Sequence, residues 1–256
     1  MYHKLLRAAA GGSGGSYVQT LAAMSPYRQW NLTQNSTGLS LAGTTSPILS
    51  STSLFNGQQS YFFNHSSSTA TGSWFTSVGP STTDSWNEIS IVAVAQPSTV
   101  PGYYNVGDPD FRRMVFGSFW DSLSQGMSLG FGSNDGGASV FLVAVNYGGS
   151  GGTPYDQVYE VNNSLYAVNT PIFIGVTWSK TTHNNRMRLY SKGILRAEIT
   201  SVTRTKVYND GGFHIGSDGR AAAIIAARQF GGNIAGVGLF NREVTAAEML
   251  SLNNSL

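Results

Sequence analysis

The sequence predicts an all-β fold: a two-sheet antiparallel jelly-roll sandwich with a short N-terminal helix and a short C-terminal helical turn. Two observations carry that prediction. Beyond residue 25 the hydrophobic pattern runs with period two in short segments separated by Gly, Asn, Asp and Ser clusters, as strands joined by turns require. Only 11 % of the 256 residues are charged, against about 25 % in an ordinary soluble domain, while Ser, Thr, Asn and Gly together supply 103 residues. Threonine suits the outward face of a sheet, and Gly, Ser and Asn suit its many turns.

The composition also excludes several functions. With no cysteine there is no disulfide scaffold, thiolate zinc site, thiol nucleophile or iron–sulfur ligation. A net charge of +2 is too weak for a chain that binds nucleic acid as a whole. The longest apolar runs, at 89–95 and 221–227, fall far short of the roughly 20 residues that span a bilayer, so no membrane span is expected. A hydrophobic fraction of 41 % supplies one sizeable core. A free domain gains from net charge away from zero, so near-neutrality points to life in an assembly, as a homo-oligomer or among other subunits.

Residues 1–16 stand apart from the rest. Arg7 interrupts the apolar stretch after two leucines, so the core of a secretory signal is missing, and the Gly11–Ser16 run has the composition of a flexible linker. The segment reads as a basic tether whose Lys4, Leu5, Leu6 and Arg7 anchor the protein to a larger partner, with 17–256 forming one domain. In residues 17–24 Val18, Leu21 and Ala22 fall at helical spacing, and Ser25-Pro26 ends the helix because the residue before proline is pushed out of the α region. Strands are expected over 88–95, 113–120, 127–132, 140–147, 171–178, 186–190, 194–199, 212–215 and 233–240. Within 186–190, Met187 and Leu189 share the buried face, while Arg186, Arg188 and Tyr190 share the other. Gly193 supplies the positive φ that the following hairpin turn needs. Near the C-terminus Thr245-Ala246-Ala247-Glu248 matches a capping box opening a short helix, with Leu250 and Leu252 as its apolar contacts, placed to plug one end of the sandwich.

Two constellations look fit for binding. The segment 147–166, read as a loop, places Tyr155, Asp156 and Tyr159 after a glycine run; flat aromatic faces stack on sugar C–H faces while Asp, Asn and Gln hydrogen-bond hydroxyls. Tyr103, Tyr104 and Trp120 could contribute in the same way. The second constellation is basic: Lys180, Arg186, Arg188, Lys192, Arg196, Arg204 and Lys206 face a lone Glu198 across residues 180–206, a surplus suited to an acidic partner surface or an anionic polysaccharide. Catalytic signatures are weak. Gly126-Met127-Ser128-Leu129-Gly130 fits a nucleophile-elbow pattern in letters, but it alternates like a strand and nothing helical follows. The four histidines, His3, His65, His183 and His214, lack metal-site spacing and are expected in loops or at the surface.

The succession 17–32 (YVQTLAAMSPYRQWNL), 86–97 (WNEISIVAVAQP), 126–131 (GMSLGF), 171–198 (PIFIGVTWSKTTHNNRMRLYSKGILRAE), 212–218 (GFHIGSD) and 230–252 (FGGNIAGVGLFNREVTAAEMLSL) resembles the laminin-G-like, concanavalin A-like jelly-roll superfamily over about nine-tenths of the chain. The resemblance implies two stacked antiparallel sheets serving glycan or protein recognition. It also implies that a calcium ion, where one is bound, would use Asp side chains and loop carbonyls; Asp108, Asp110, Asp135 and Asp218 are the candidates, without a diagnostic spacing. No cofactor is expected. Family glycosidases resemble one another in two glutamates on one strand flanking an aspartate, and none of Glu88, Glu160, Glu198, Glu243 and Glu248 is so arranged. Asp108-Pro109-Asp110 reads as turn chemistry. Lys192 stands where the family's hairpin has Asn or Asp, so no ligand role is carried to that turn. Similar Ser/Thr/Asn/Gly-rich members occur among bacteriophage virion proteins. The leading expectation is therefore a non-enzymatic virion structural protein, a tail, fibre or head-decoration component, displaying the domain to host-surface glycans beside other virion subunits. The alternative is a secreted or cell-surface carbohydrate-binding module, and behind it a glycoside hydrolase with a non-standard carboxylate pair.

Overall fold

The computed structural model describes residues 16–32, 40–43, 48–49, 54–55, 59–64, 73–77, 85–98, 113–117, 126–134, 139–147, 155–161, 165–180, 186–200, 207–208, 212–217 and 229–256. The anchor residues Lys4, Leu5, Leu6 and Arg7 lie outside them, as do Tyr103, Tyr104, Trp120, Asp108, Asp110, Asp135, Asp218, Arg204 and Lys206.

Two antiparallel sheets form the sandwich. Along the first, the order is β14 (Ile194–Ile199), β13 (Arg186–Ser191), β12 (Ile172–Ser179), β7 (Glu88–Pro97), β17 (Gly232–Phe240), β4 (Tyr61–Phe63) and β3 (Ile48–Leu49), with β1 (Arg28–Trp30) also on β17. The second runs β11 (Tyr155–Val161), β10 (Ser139–Tyr147), β9 (Gly126–Asn134), β8 (Arg113–Gly117), β16 (Phe213–Ile215), β5 (Ser73–Ser77) and β2 (Ser40–Gly43). A two-stranded ribbon pairs β6 (Ser85–Trp86) with β15 (Val207–Tyr208). Period two decides what fills the space between the sheets: Ile89, Ile91, Ala93 and Ala95 of β7 and Ile172, Ile174, Val176 and Trp178 of β12 meet Met127, Leu129 and Phe131 of β9. All are buried. No helix among the described residues is long and apolar enough to cross a membrane.

The first sheet is buried on its other face as well, which corrects the one-sided reading of 186–190. Val92, Val94, Phe173, Tyr190, Ala235 and Phe240 form a second core with Tyr17 and Leu21 of α1 (Tyr17–Ala23) and Met249 and Leu252 of α2 (Ala246–Asn254). This explains why β7 reads as an almost continuous apolar run: a strand covered on both faces has no polar side to show. The C-terminal helix therefore lies on the outer face of the sheet instead of plugging an end, and its inward residues are Met249 and Leu252, while Leu250 is exposed. Missing Cβ atoms make the close approach feasible, since one on Gly175 would stand 2.9 Å from the Met249 sulfur and one on Gly238 2.6 Å from Leu21.

Ser90, the one polar residue inside the β7 run, ties this layer down. Its hydroxyl donates to the Arg242 carbonyl and accepts the Val244 N–H, each at 2.8 Å, fixing the link from β17 to α2. The expected capping box is present: the Thr245 hydroxyl accepts the Glu248 N–H at 3.2 Å, and the Glu248 carboxylate accepts the Thr245 N–H at 2.8 Å. Arg242 adds two bonds to that carboxylate at 2.9 and 2.7 Å. Burial pushes the Glu248 carboxyl up, but the Arg242 and Thr245 donors outweigh it and hold it below its ordinary value. A depressed carboxylate stabilises the fold above its unfolded-state pKa, and that contribution is lost as pH falls through the lower folded value. Glu248→Gln is expected to lower the melting temperature at pH 7, with the deficit shrinking as pH falls toward the carboxyl's lowered folded value, in parallel thermal melts.

The β13–β14 turn is made by Lys192 (φ 49°) and Gly193 (φ 73°), both left-handed, as a two-residue hairpin of this twist requires. Gly193 is also sterically fixed, because a Cβ there would lie 2.8 Å from Cα of Leu250. Lysine tolerates the left-handed region poorly and asparagine tolerates it well. Lys192→Asn is expected to raise stability by about 0.5–1 kcal/mol in urea titration.

Candidate functional site

The segment read as a glycan loop is in part a strand. Residues 155–161 form β11, the edge of the second sheet, with Tyr155 opposite Tyr147, Asp156 opposite Asn146 and Tyr159 opposite Val143. Tyr155 and Tyr159 hold strand positions of the same parity and Asp156 the other. Val158 points into the core, and Tyr159 is 43 % exposed. The β-branched and aromatic residues Tyr155, Val158, Tyr159 and Val161 were the available signal; the glycine run before them masked the strand.

Within the basic stretch, Arg186 and Arg188, read as one exposed face, are largely covered and ion-paired. Arg186 meets Glu243 at 2.9 Å and lies 3.7 Å from Glu198, while Arg188 hydrogen-bonds Glu198 and lies 3.9 Å from Glu243. Burial pulls the Arg188 guanidinium down, but the Glu198 bond together with the charges of Tyr190, Glu198 and Glu243 outweighs it, and its pKa ends above the usual arginine value. Glu243 comes from the β17–α2 link, far along the chain, which is why counting charges within 180–206 missed it. The other partner depends on a β-bulge. Tyr190 faces Leu195 but Leu189 faces Ala197, which leaves Arg196 as the extra residue. Without that insertion Glu198 would fall opposite Met187 and point into the core; with it, Glu198 stands opposite Arg188 and Ile199 takes the inward place. Lys192 stays exposed at the turn, and Arg196 donates to the Ser191 hydroxyl at 2.9 Å.

That bond belongs to a seam where the edges of the two sheets come together. The fully buried Tyr166 donates its hydroxyl to Glu160 of β11 and lies 3.1 Å from the Ser191 hydroxyl of β13. Burial first, and the Glu160 bond second, push its phenol well up. The other glutamates are held by donors too: Glu88 accepts from Ser179 at 3.0 Å and from the Glu243 N–H at 3.3 Å. Residues 126–130 lie within β9 with Ser128 buried, and His214 sits, partly buried, within β16, the strand expected over 212–215; His3, His65 and His183 lie outside the described residues. Among the described residues no three His, Asp or Glu side chains gather as a metal site.

One arrangement was not legible in the sequence. A column of rings climbs from the core to the surface. Phe116 and Phe213, both buried, have centroids 5.9 Å apart; Phe213 meets Trp86 at 6.5 Å; Trp86 meets Tyr27 edge-on at 4.7 Å; and the guanidinium carbon of Arg28 lies 5.2 Å from the Tyr27 centroid. The rings come from four separate segments. Trp86 is held from behind by the pairing of β6 with Val207, and Tyr27 by β1, whose Arg28 sits opposite Leu239. Only the aromatic, turn-flanked character of residues 25–30 hinted at it.

No protein-family model matches the sequence, and no curated protein does. Solved structures share the fold. The binding domain of botulinum neurotoxin DC, in complex with SialylT, is 16 % identical with a TM-score of 0.59, over 91 % of this chain and 51 % of that one. Domain 4 of a GH43 extracellular arabinanase from Geobacillus stearothermophilus, in complex with arabinotriose, is 12 % identical with a TM-score of 0.53, over 84 % and 87 %. The heptameric SAP-like pentraxin of Limulus polyphemus is 10 % identical with a TM-score of 0.50, over 83 % and 79 %. The chain spans about half the length of the neurotoxin domains it matches. Element order, sheet topology and these likenesses together make the chain a two-sheet antiparallel β-sandwich of the jelly-roll kind.

Proposed function

We propose that this domain is a non-catalytic carbohydrate-binding module that holds a saccharide along the β11 edge. The observation that carries the reading is Tyr159: an aromatic side chain 43 % exposed on an edge strand whose neighbours Val158 and Glu160 are anchored inward. A ring so placed offers a flat apolar face for a sugar's C–H face, and the strand beneath keeps it from collapsing. Support also comes from the arabinanase domain, which was solved with arabinotriose and is matched over most of its length. Tyr159→Ala is expected to weaken binding of the best glycan on an array about tenfold, near 1.4 kcal/mol, in calorimetric titration; Tyr155→Ala is the companion variant. Unchanged affinity in both would remove this edge from consideration.

The setting we propose is a bacteriophage particle surface, with the domain as a virion component among other subunits; a secreted or cell-surface location is the alternative. Its support is the net charge of +2, low for a free domain of 256 residues, and the Ser-, Thr-, Asn- and Gly-rich composition. Light scattering of the purified full chain is expected to give a homo-oligomer. A monomer at micromolar concentration, with residues 1–16 dispensable for incorporation into any particle, would sink this part of the reading.

A further inference from the structure

The ring column ends at a surface corner with a composition of its own. Tyr27 and Trp86 are partly buried, Arg28 and Asn87 are exposed, and Lys180 is brought alongside by its N–H bond to the Asn87 carbonyl at 2.9 Å. Arg186, Arg188 and Arg242 each meet a glutamate. Arg28 differs: among the described residues its guanidinium has no carboxylate partner and rests only against the Tyr27 ring. The residue paired with Trp86, Val207, directly follows Lys206, the last cation of the basic stretch.

We infer that this corner is a second binding site, for a carboxylate-bearing saccharide. The inference rests on the carbohydrate-binding reading above but uses a different surface. Tyr27 and Trp86 meet edge-to-face at an interplanar angle of 74° and both are partly exposed, which leaves aromatic surface at the corner for the C–H face of a pyranose. Arg28 supplies the planar fork of donors that matches a carboxylate in two parallel hydrogen bonds. Contact with the Tyr27 ring limits the positions its guanidinium explores, so less freedom is lost on binding. Asn87 can donate to and accept from ring hydroxyls. The rings are locked by the column beneath them, so the corner is formed before the ligand arrives. A neutral saccharide would keep the stacking and lose the Arg28 bonds; an inorganic anion would keep the charge contact and lose the stacking.

Calorimetric titration of the full chain tests this with two acid and neutral pairs: trigalacturonate against its methyl ester, and sialyllactose against lactose. The acid of at least one pair is expected to bind at least about fivefold tighter than its neutral partner, with the preference shrinking between 0.02 and 0.3 M salt as screening grows. Arg28→Gln, at an exposed position, is expected to abolish the preference by lowering the affinity for the acid toward that for its neutral partner. Tyr27→Ala is expected to weaken both members of the pair, with circular dichroism confirming the fold. Equal affinity of acid and neutral ligands in both pairs, or a preference that survives Arg28→Gln, overturns the inference. If neutral glycans bind and depend on Tyr159 while neither acid is preferred, this corner fails and the β11 reading stands. If no glycan on an array binds, both fail.

Discussion

Replacing Gly232 by alanine is expected to cost about 3 kcal/mol or more, combining backbone strain with overpacking. Gly232 opens β17 at φ 137°, a conformation that L side chains rarely adopt, and it pairs with Pro97 on one side and Phe63 on the other. A Cβ there would stand 2.1 Å from the Gln96 carbonyl oxygen, 2.8 Å from the Ser98 nitrogen and 3.0 Å from the Pro97 Cα. All three are backbone atoms, at the end of the central strand β7 and in the residue that follows it, so no rotamer change relieves the clash. Either β17 shifts away from β7, breaking the ladder at the centre of the first sheet, or the sandwich opens. For a domain of this size the penalty corresponds to a fall of about 10 °C in melting temperature. Gly238→Ala is the control, since there the first obstacle is the flexible end of Leu21, at 2.6 Å. A Gly232→Ala protein melting within about 2 °C of its parent would show that the β7–β17 pairing is not as tight as described.

Tyr17→Ala is the second large effect, at about 3–5 kcal/mol, the range for emptying an aromatic site in a core. Tyr17 is 1 % exposed, its ring meets Phe173 edge-on at 6.1 Å, and its hydroxyl donates to the Gly236 carbonyl at 3.1 Å. Burial drives its phenol far up, so it stays a neutral donor across the accessible pH range. Truncation leaves a cavity over β17 and a carbonyl without its donor. Tyr17→Phe removes only the hydrogen bond and is expected to cost about 1 kcal/mol. Denaturant titration separates the two. If Tyr17→Ala loses less than about 1 kcal/mol, α1 is an appendage and the second core does not contribute to the stability of the sandwich.

Both predictions concern the helix-covered sheet, and that sheet matters to function by what it leaves over. With α1 and α2 laid across one broad face, the two sites we propose, the β11 edge and the Tyr27–Trp86 corner, lie outside the covered area. The corner begins where α1 ends: Ser25, at φ 53° before Pro26, turns the chain out of the helix and into Tyr27 and β1. Packing of Tyr17 and presentation of Tyr27 are therefore consecutive consequences of one turn.

Period-two alternation and turn residues were enough to place the strands from β7 onward, apart from β11 and β15, because a half-buried strand writes its geometry into the sequence. Thr245 and Glu248 likewise announced α2, since a capping box is a local bond between residues three apart. The short strands β1 to β6 carried no such signal: two to five residues are too few for a period to show, and they form because the edges of the sheets receive them. Local alternation placed Arg186 and Arg188 on one face correctly, yet their environment was decided by Glu243, 57 and 55 residues away, and by a bulge that turns Glu198 toward them. The sequence by itself determined the sandwich, the hairpin at Lys192-Gly193 and the helix cap, all products of neighbours along the chain. Only the tertiary structure decided which face of each strand is covered twice, which arginines are neutralised and which rings line up beneath Arg28, because those follow from contacts between segments that the chain keeps far apart.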